Sequence, residues 1–349
     1  KRQLSWNVEK VQNMNSMFRD NNAFNANISA WNPLSLLGLK ETFKTATAFN
    51  NGFPAGSAGT ATISNTLDWN MPSLGSNSND WKWYGLAQTF NGASSFNSYI
   101  NNWNVSSVTN MNYMLLNATS FNQPLDNWNV GSVRYMESVF RAATSFNQPI
   151  GNWDVTSVTN MSNMFYNATA FNQNIGSWTT SSVTDMSYMF SYTDSFNQDL
   201  SNWDVSSVTD MKNMFAIAES FNGDLSNWDV SSVTDMSRIF RLAENFNGNL
   251  SGWNVSSVTT MEQMFYEAGS FNQDIGDWDV SSVTNMRNMF DNADSFDQDI
   301  SDWDISNVTR MGNMFNSAND LSDDNKCAIH TSFDSNSAWP YDWESYCSD

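Results

Sequence analysis

The sequence predicts an α/β repeat fold, a right-handed solenoid in which every coil contributes one short parallel strand and one short helix. Two observations predict it. Nine tryptophans (Trp103, Trp128, Trp153, Trp178, Trp203, Trp228, Trp253, Trp278 and Trp303) stand 25 residues apart without a slip. A fixed period of that size marks a stack of supersecondary units. Within each period the apolar residues show a stretch of helical spacing followed by a shorter, more polar stretch.

The copy from Trp203 to Asn227 shows both stretches. Counting from Trp203, apolar residues fall at +2 (Val205), +5 (Val208), +8 (Met211), +11 (Met214), +12 (Phe215), +15 (Ala218), +18 (Phe221) and +22 (Leu225). The steps from +5 to +15 are 3, 3, 1 and 3, which is one face of a helix. Ser207 stands where an N-cap belongs, and Asp210 suits the positive end of a helix dipole. A short helix is therefore predicted from Val208 to about Glu219. The following segment, residues 221–230, is too short and polar for a second helix. Leu225, Trp228 and Val230 there suit a short extended segment between turns. One strand plus one helix in 25 residues is a leucine-rich-repeat-like coil, and the parallel-crossover rule makes it right-handed.

The same pattern runs upstream from Trp6 and Trp31. Trp69 and Trp103 then follow at 38 and 34 residues, placing insertions near residues 51–63 and 75–83. Leu321 closes the last copy. The predicted organisation is a repeat domain over 1–321, of about twelve coils, and a C-terminal cap over 322–349. Twelve coils at a strand spacing of about 4.8 Å give a length on the order of 60 Å.

Composition narrows the function. A net charge of −21 repels phosphates and so argues against nucleic acid and anionic membranes as partners. No run of 18 apolar residues is present, so no membrane span is predicted. The chain opens at Lys1 directly inside a repeat, which reads as a mature or trimmed segment. Its two cysteines, Cys327 and Cys347, both lie past the last copy, where a disulfide closing the cap fits an oxidising compartment. Asn-x-Ser/Thr sites begin at Asn27, Asn104, Asn117, Asn160, Asn167, Asn249, Asn254 and Asn307, but an Asn-rich repeat generates such sites by chance.

Strings such as WDVSSVTDMKNMF (203–215) and SFNQDLSNW (195–203) resemble the BspA-like leucine-rich-repeat surface proteins. More closely, they resemble the 25-residue repeat of unknown function catalogued in mycoplasma surface lipoproteins. The resemblance spans about Trp6 to Leu321. It implies a secreted or surface-displayed protein with a role in adhesion or matrix contact, and it carries over no catalytic or ligand residue. The two insertions depart from the unbroken register of that family, and the lipid-attachment cysteine of the lipoproteins is absent from this sequence.

Several features bear on chemistry. The Met columns at +8 and +11, such as Met211 and Met214, read as core filler, because thioethers adapt to irregular gaps. The Asn that follows Phe in nearly every copy, replaced by Asp297 in one, reads as a ladder of amides bonding the neighbouring coil. The Thr column at +6 is similar to the water-ordering arrays of ice-binding proteins. Its place in the predicted first helical turn, and Arg134 in its midst, count against that role. Asp204 with Asp229, and Asp279 with Asp304, share one column. Like charges about 5 Å apart either tolerate their repulsion in solvent or bind a bridging calcium. The insertions bring Phe53, Trp81, Trp83 and Tyr84, which fit no core position. They read either as a recognition surface for a glycan or a protein or as a small satellite core. A single histidine, His330, without partners at motif spacing, assembles neither a triad nor a zinc site.

The expected function is non-catalytic extracellular or cell-surface recognition, adhesion to a glycan or a surface or matrix protein through a solenoid flank and the inserted loops. The alternative is a structural subunit of an extracellular filament, sheath or matrix that associates end to end. No cofactor is expected beyond calcium.

Overall fold

The computed structural model describes residues 3–59, 65–75 and 85–347. It divides into two compact units, Lys1–Ser182 and Val183–Asp349. Both are built from the same 25-residue coil, but the coil is not the predicted one. Among the described residues of the repeats there is no helix, and strand pairing is confined to isolated parallel bridges, such as Asn110↔Tyr135 and Tyr135↔Asn160 in the first unit and Asp185↔Asp210↔Asp235 in the second. The prediction of a right-handed α/β solenoid with one strand and one helix per coil is overturned, since no sheet and no helix forms within a coil.

Backbone hydrogen bonding explains why. In a helix every amide returns to a carbonyl four residues back. In the Trp228 coil the amides alternate instead. Ile239, Arg241 and Ala243 donate within the coil, to Met236, Arg238 and Phe240, at 3.3, 3.2 and 3.1 Å. Met236, Arg238, Phe240 and Leu242 donate to the next coil, to Thr260, Glu262, Met264 and Tyr266, at 3.2, 2.9, 3.0 and 2.7 Å. The Trp128 coil alternates in the same way, with Ser138, Phe140 and Ala142 donating to Ser162, Met164 and Tyr166. The alternation needs left-handed backbone at +10 and +14. Arg238 and Leu242 have φ of 60° and 58°, and even Ile217 has 61°, a conformation costing a non-glycine residue about 1–2 kcal/mol.

The helix-like spacing is real but serves a train of turns. Val208 donates to Val205, Met214 to Met211, Ala218 to Phe215 and Phe221 to Ala218. Each such turn spans three residues, so apolar side chains at steps of three all point inward, and each of these residues is buried. Burying Trp, two Phe, two Met and several Val per coil contributes roughly 1.5–3 kcal/mol for each large side chain.

Aromatic columns run through both units. Trp203–Trp228 and Trp228–Trp253 stack at 6.4 and 6.3 Å with rings 2° and 1° from parallel. Within a coil Phe215 lies 4.0 Å from Phe221. The indoles also donate one coil back. Trp253 Nε1 bonds the Leu225 carbonyl at 3.0 Å, the same oxygen that accepts the Trp228 amide at 3.1 Å. In the first unit Trp153 Nε1 bonds Leu125 in the same way. Across both inserted segments the columns continue, with Phe43 on Phe90 at 5.5 Å, Trp31 on Trp69 at 5.9 Å and Trp69 on Trp103 at 5.9 Å.

The Asn at +19 forms the expected ladder. In the first unit Asn25 Oδ1 accepts the Asn50 amide, Asn50 that of Asn97, and so on to Asn172. In the second unit the chain runs Asn197, Asn222, Asn247, Asn272, Asp297, Ser322, each amide bonding the preceding side chain at 2.9 Å.

Past Leu321 the period ends and α1 (Asp323–Phe333) begins, N-capped by Ser322. A single 3-10 turn follows at Glu344–Tyr346. No helix among the described residues is long and apolar enough to cross a membrane.

Candidate functional site

The acidic columns serve the backbone. Asp204 Oδ1 accepts the amide and hydroxyl of Ser206 at 3.1 and 2.6 Å, and Asp279 does the same with Ser281. Asp229 accepts the Ser231 amide and Asp304 that of Ser306. Bonds from the Ser281 hydroxyl and amide hold the Asp279 carboxyl below its usual range. The Ser306 amide and hydroxyl do so for Asp304, and those of Ser231 for Asp229. Asn104 and Asn129 occupy the same column and make the same bond to Ser106 and Gly131. An uncharged side chain serving equally well means the turn, not the charge, is what the column requires. Two further columns work alike, Asp199 to Ser201 and Asp210 to Lys212. Three such turns per coil account for the abundance of Asn, Asp and Ser. Among the described residues no group of three His, Cys, Asp or Glu is placed to hold a metal ion.

Of the insertion residues, Trp81, Trp83 and Tyr84 lie outside the described residues. Phe53 is half-buried, and its carbonyl accepts Asn25 Nδ2 at 2.8 Å. Around it the first insertion is tied to the amide ladder, with Asn50 Nδ2 on Pro54 and Ser57 carbonyls and Asn97 Nδ2 on Gly56.

The cap carries the disulfide between Cys327 and Cys347, joining α1 to the 3-10 turn. It finishes bonds that each coil leaves open. The Phe315 amide, whose counterparts donate to a following coil, donates to the Tyr341 hydroxyl at 2.8 Å. Burial pushes the Tyr341 phenol up to about 12. Asn336 Nδ2 bonds the Ile305 and Val308 carbonyls at 2.7 and 3.1 Å. Trp339, Tyr341 and Trp343 cover Phe315 at 6.2, 6.2 and 5.6 Å. His330 is buried, and its Nδ1 accepts Trp339 Nε1 at 3.2 Å. Between the cap loop and the Trp303 coil lies a groove of about 720 Å³.

One variable face of the coil, present separately in each unit, was missed by sequence reasoning. Positions +7, +9, +10, +13 and +14 change from copy to copy, whereas +1, +3, +4 and +6 change much less. In the first unit from Trp103 onward this variable stretch holds Tyr113, Tyr135, Arg141 and Tyr166. In the second it holds Tyr188, Tyr192, Lys212, Arg238, Arg241, Tyr266, Arg287 and Arg310. Every Lys and Arg between Trp103 and Leu321 falls there except Arg134, which adjoins it at +6. Arg141 lies 4.5 Å over the Tyr166 ring and Arg241 5.0 Å over Tyr266. Tyr135 and Tyr192 are 37% and 40% exposed. Comparing the copies column by column would have revealed this face.

Coils that share backbone bonds at 25-residue spacing, closed by a disulfide-bonded cap, define a repeat protein whose copies are each incomplete alone. The family described as "Mycoplasma protein of unknown function, DUF285" matches residues 2–66, 77–175, 148–241 and 223–328, and the chain belongs to that family. The membership is of the repeat family; a leucine-rich architecture is not what these coils form. No curated protein matches the chain.

Proposed function

We propose that this is a non-catalytic recognition protein, secreted or displayed at a cell surface, that adheres to a glycan or a surface or matrix protein through the variable face of its coils. The observation that carries the reading is the gathering of copy-to-copy variation, of tyrosine and of every cation but Arg134 from Trp103 to Leu321 on that face. Packing fixes the core positions +8, +11 and +12 between them, which leaves variation at +9, +10, +13 and +14 to serve a ligand. Tyr and Arg dominate the energetics of protein interfaces, and Tyr also stacks on sugars. The Cys327–Cys347 disulfide supports an oxidising compartment.

The test is a glycan and matrix-protein array probed with the intact chain and with a Tyr135→Ala, Tyr192→Ala variant. Binding that is lost in the variant at an unchanged melting temperature supports adhesion through this face. Absence of binding by the intact chain sinks the reading.

A further inference from the structure

We infer that the groove between the cap and the last coil is a binding site for a neutral saccharide. Elsewhere in the second unit the +1 to +6 edge of a coil is covered by the next, as Ser232 Oγ bonds the Ser206 carbonyl and the Thr234 amide that of Thr209. Over the Trp303 coil the next coil is replaced by the loop that follows α1. That loop touches the edge through Asn336 and leaves a concavity beside the contact, with Asp304, Ser306 and Thr309 on one wall and Ser335 and Ser337 on the other. The concavity arises where the periodicity stops, so no repeat requirement shapes it.

Its chemistry selects the ligand class. About 720 Å³ lies within the roughly 300–1,000 Å³ of small-molecule sites and accommodates one or two sugar rings. The lining carries hydroxyls on both walls and one carboxylate, and no Lys or Arg. With the chain at −21, an anionic ligand is repelled. Asp304 stays ionised, its Oδ1 held by the Ser306 amide at 3.0 Å, so its second oxygen is available to accept a ligand hydroxyl in a charge-assisted bond. Hydroxyl groups that both donate and accept are what Ser306, Ser335 and Ser337 pair with. Ala338 with the edges of Trp303 and Ile305 supplies a small apolar patch for the face of a ring.

The site rests on the recognition reading only for its glycan class. The experiment is calorimetric titration of the full chain with glucose, galactose, mannose, N-acetylglucosamine and their β1,4-linked disaccharides. Saturable binding of at least one is expected. Ser337→Trp, which fills the groove, is expected to abolish it. Asp304→Asn, which keeps the turn acceptor but loses the charge, is expected to weaken it about tenfold. A saturable component is expected to persist in Tyr135→Ala with Tyr192→Ala, since neither residue lines the groove. Should Ser337→Trp lower the melting temperature, Asp304→Asn decides alone. No binding by any of these sugars, or binding indifferent to the groove variants, overturns the site. Binding lost only in the tyrosine variant overturns it while supporting recognition at the variable face.

Discussion

Asp297 Oδ1 receives three hydrogen bonds from the start of the cap: the Ser322 amide at 2.9 Å, the Ser322 hydroxyl at 2.7 Å and Asn325 Nδ2 at 2.6 Å. In other copies this rung is an Asn that accepts the next backbone amide, with a glutamine amide added in several coils, as Gln273 adds to Asn247. Where α1 replaces the next coil, the rung gains a charge along with its extra donors. Burial pushes the Asp297 carboxyl up, but the bonds from Ser322 and Asn325 outweigh it and leave the group below the usual carboxylate range.

A lowered carboxyl contributes stability that is complete above its unfolded value and fades as pH falls through its folded one. Asp297→Ala is expected to loosen the cap by about 1–3 kcal/mol at neutral pH. Asp297→Asn, which still accepts, is expected to cost less, and its deficit against the native chain should shrink below about pH 4. Urea midpoints at pH 7 and pH 3 measure both, and an Asn variant whose deficit is unchanged at pH 3 removes the role of the charge.

Ile217 carries a branched side chain at φ 61°, where other copies place Asn117, Asn167 and Asn292. Ile217→Asn is expected to stabilise the chain by about 1 kcal/mol. The reciprocal Asn167→Val should destabilise by a similar amount. Denaturant midpoints with unchanged slopes report the two changes, and a loss of stability in Ile217→Asn contradicts the strain argument.

The Leu200 carbonyl accepts the Trp203 amide at 3.0 Å and Trp228 Nε1 at 3.0 Å. Trp228→Phe keeps the stacking position but removes one donor and part of the ring. Because the carbonyl retains the amide, the expected cost is about 2–4 kcal/mol, mostly lost packing. Unfolding monitored by far-ultraviolet circular dichroism gives the value, and a cost under about 1 kcal/mol would show the column to be loosely packed.

Calcium is expected to leave the melting temperature where it is, since one oxygen of each carboxylate is committed to a turn and, among the described residues, no third acidic ligand stands beside a pair. Asp279→Asn should then be near neutral and Asp279→Ala should cost about 0.5–1 kcal/mol. A calcium-dependent rise in melting temperature that Asp279→Asn eliminates would restore the bridging role.

Reduction of Cys327–Cys347 releases a link across 20 residues and is expected to cost the cap about 3 kcal/mol. Trp339 and Trp343 fluorescence should change under reductant before the coils melt. Coincident loss of both signals would mean that cap and coils unfold as one.

The period, the core columns and the amide ladder were legible because each is a repeated side chain with one environment. The helix was misread at Val208, Met211 and Met214, because steps of three describe one face of a helix and also the corners of consecutive turns. What separates the two is backbone sign at Asn213 and Ile217, and side-chain type hints at it only where Asn fills the position. The variable face was hidden by the same regularity, since attention to what recurs passes over Tyr135 and Arg238. The finishing bonds of Tyr341 and Asn336 had no sequence signal at all, because each depends on where a non-repeating loop happens to land.

The amide alternation of the coil has a consequence for how such a chain changes over generations. The ladder rungs and the indole bonds each reach one neighbour back, and the exported amides reach one neighbour forward. A whole copy can be gained or lost with every remaining junction intact, whereas deleting one residue misaligns the amide rungs, the indole columns and the exported amides together. Length should therefore drift in units of 25 residues, and extra residues should survive only where the columns continue past them, as Phe43 on Phe90 and Trp69 on Trp103 do.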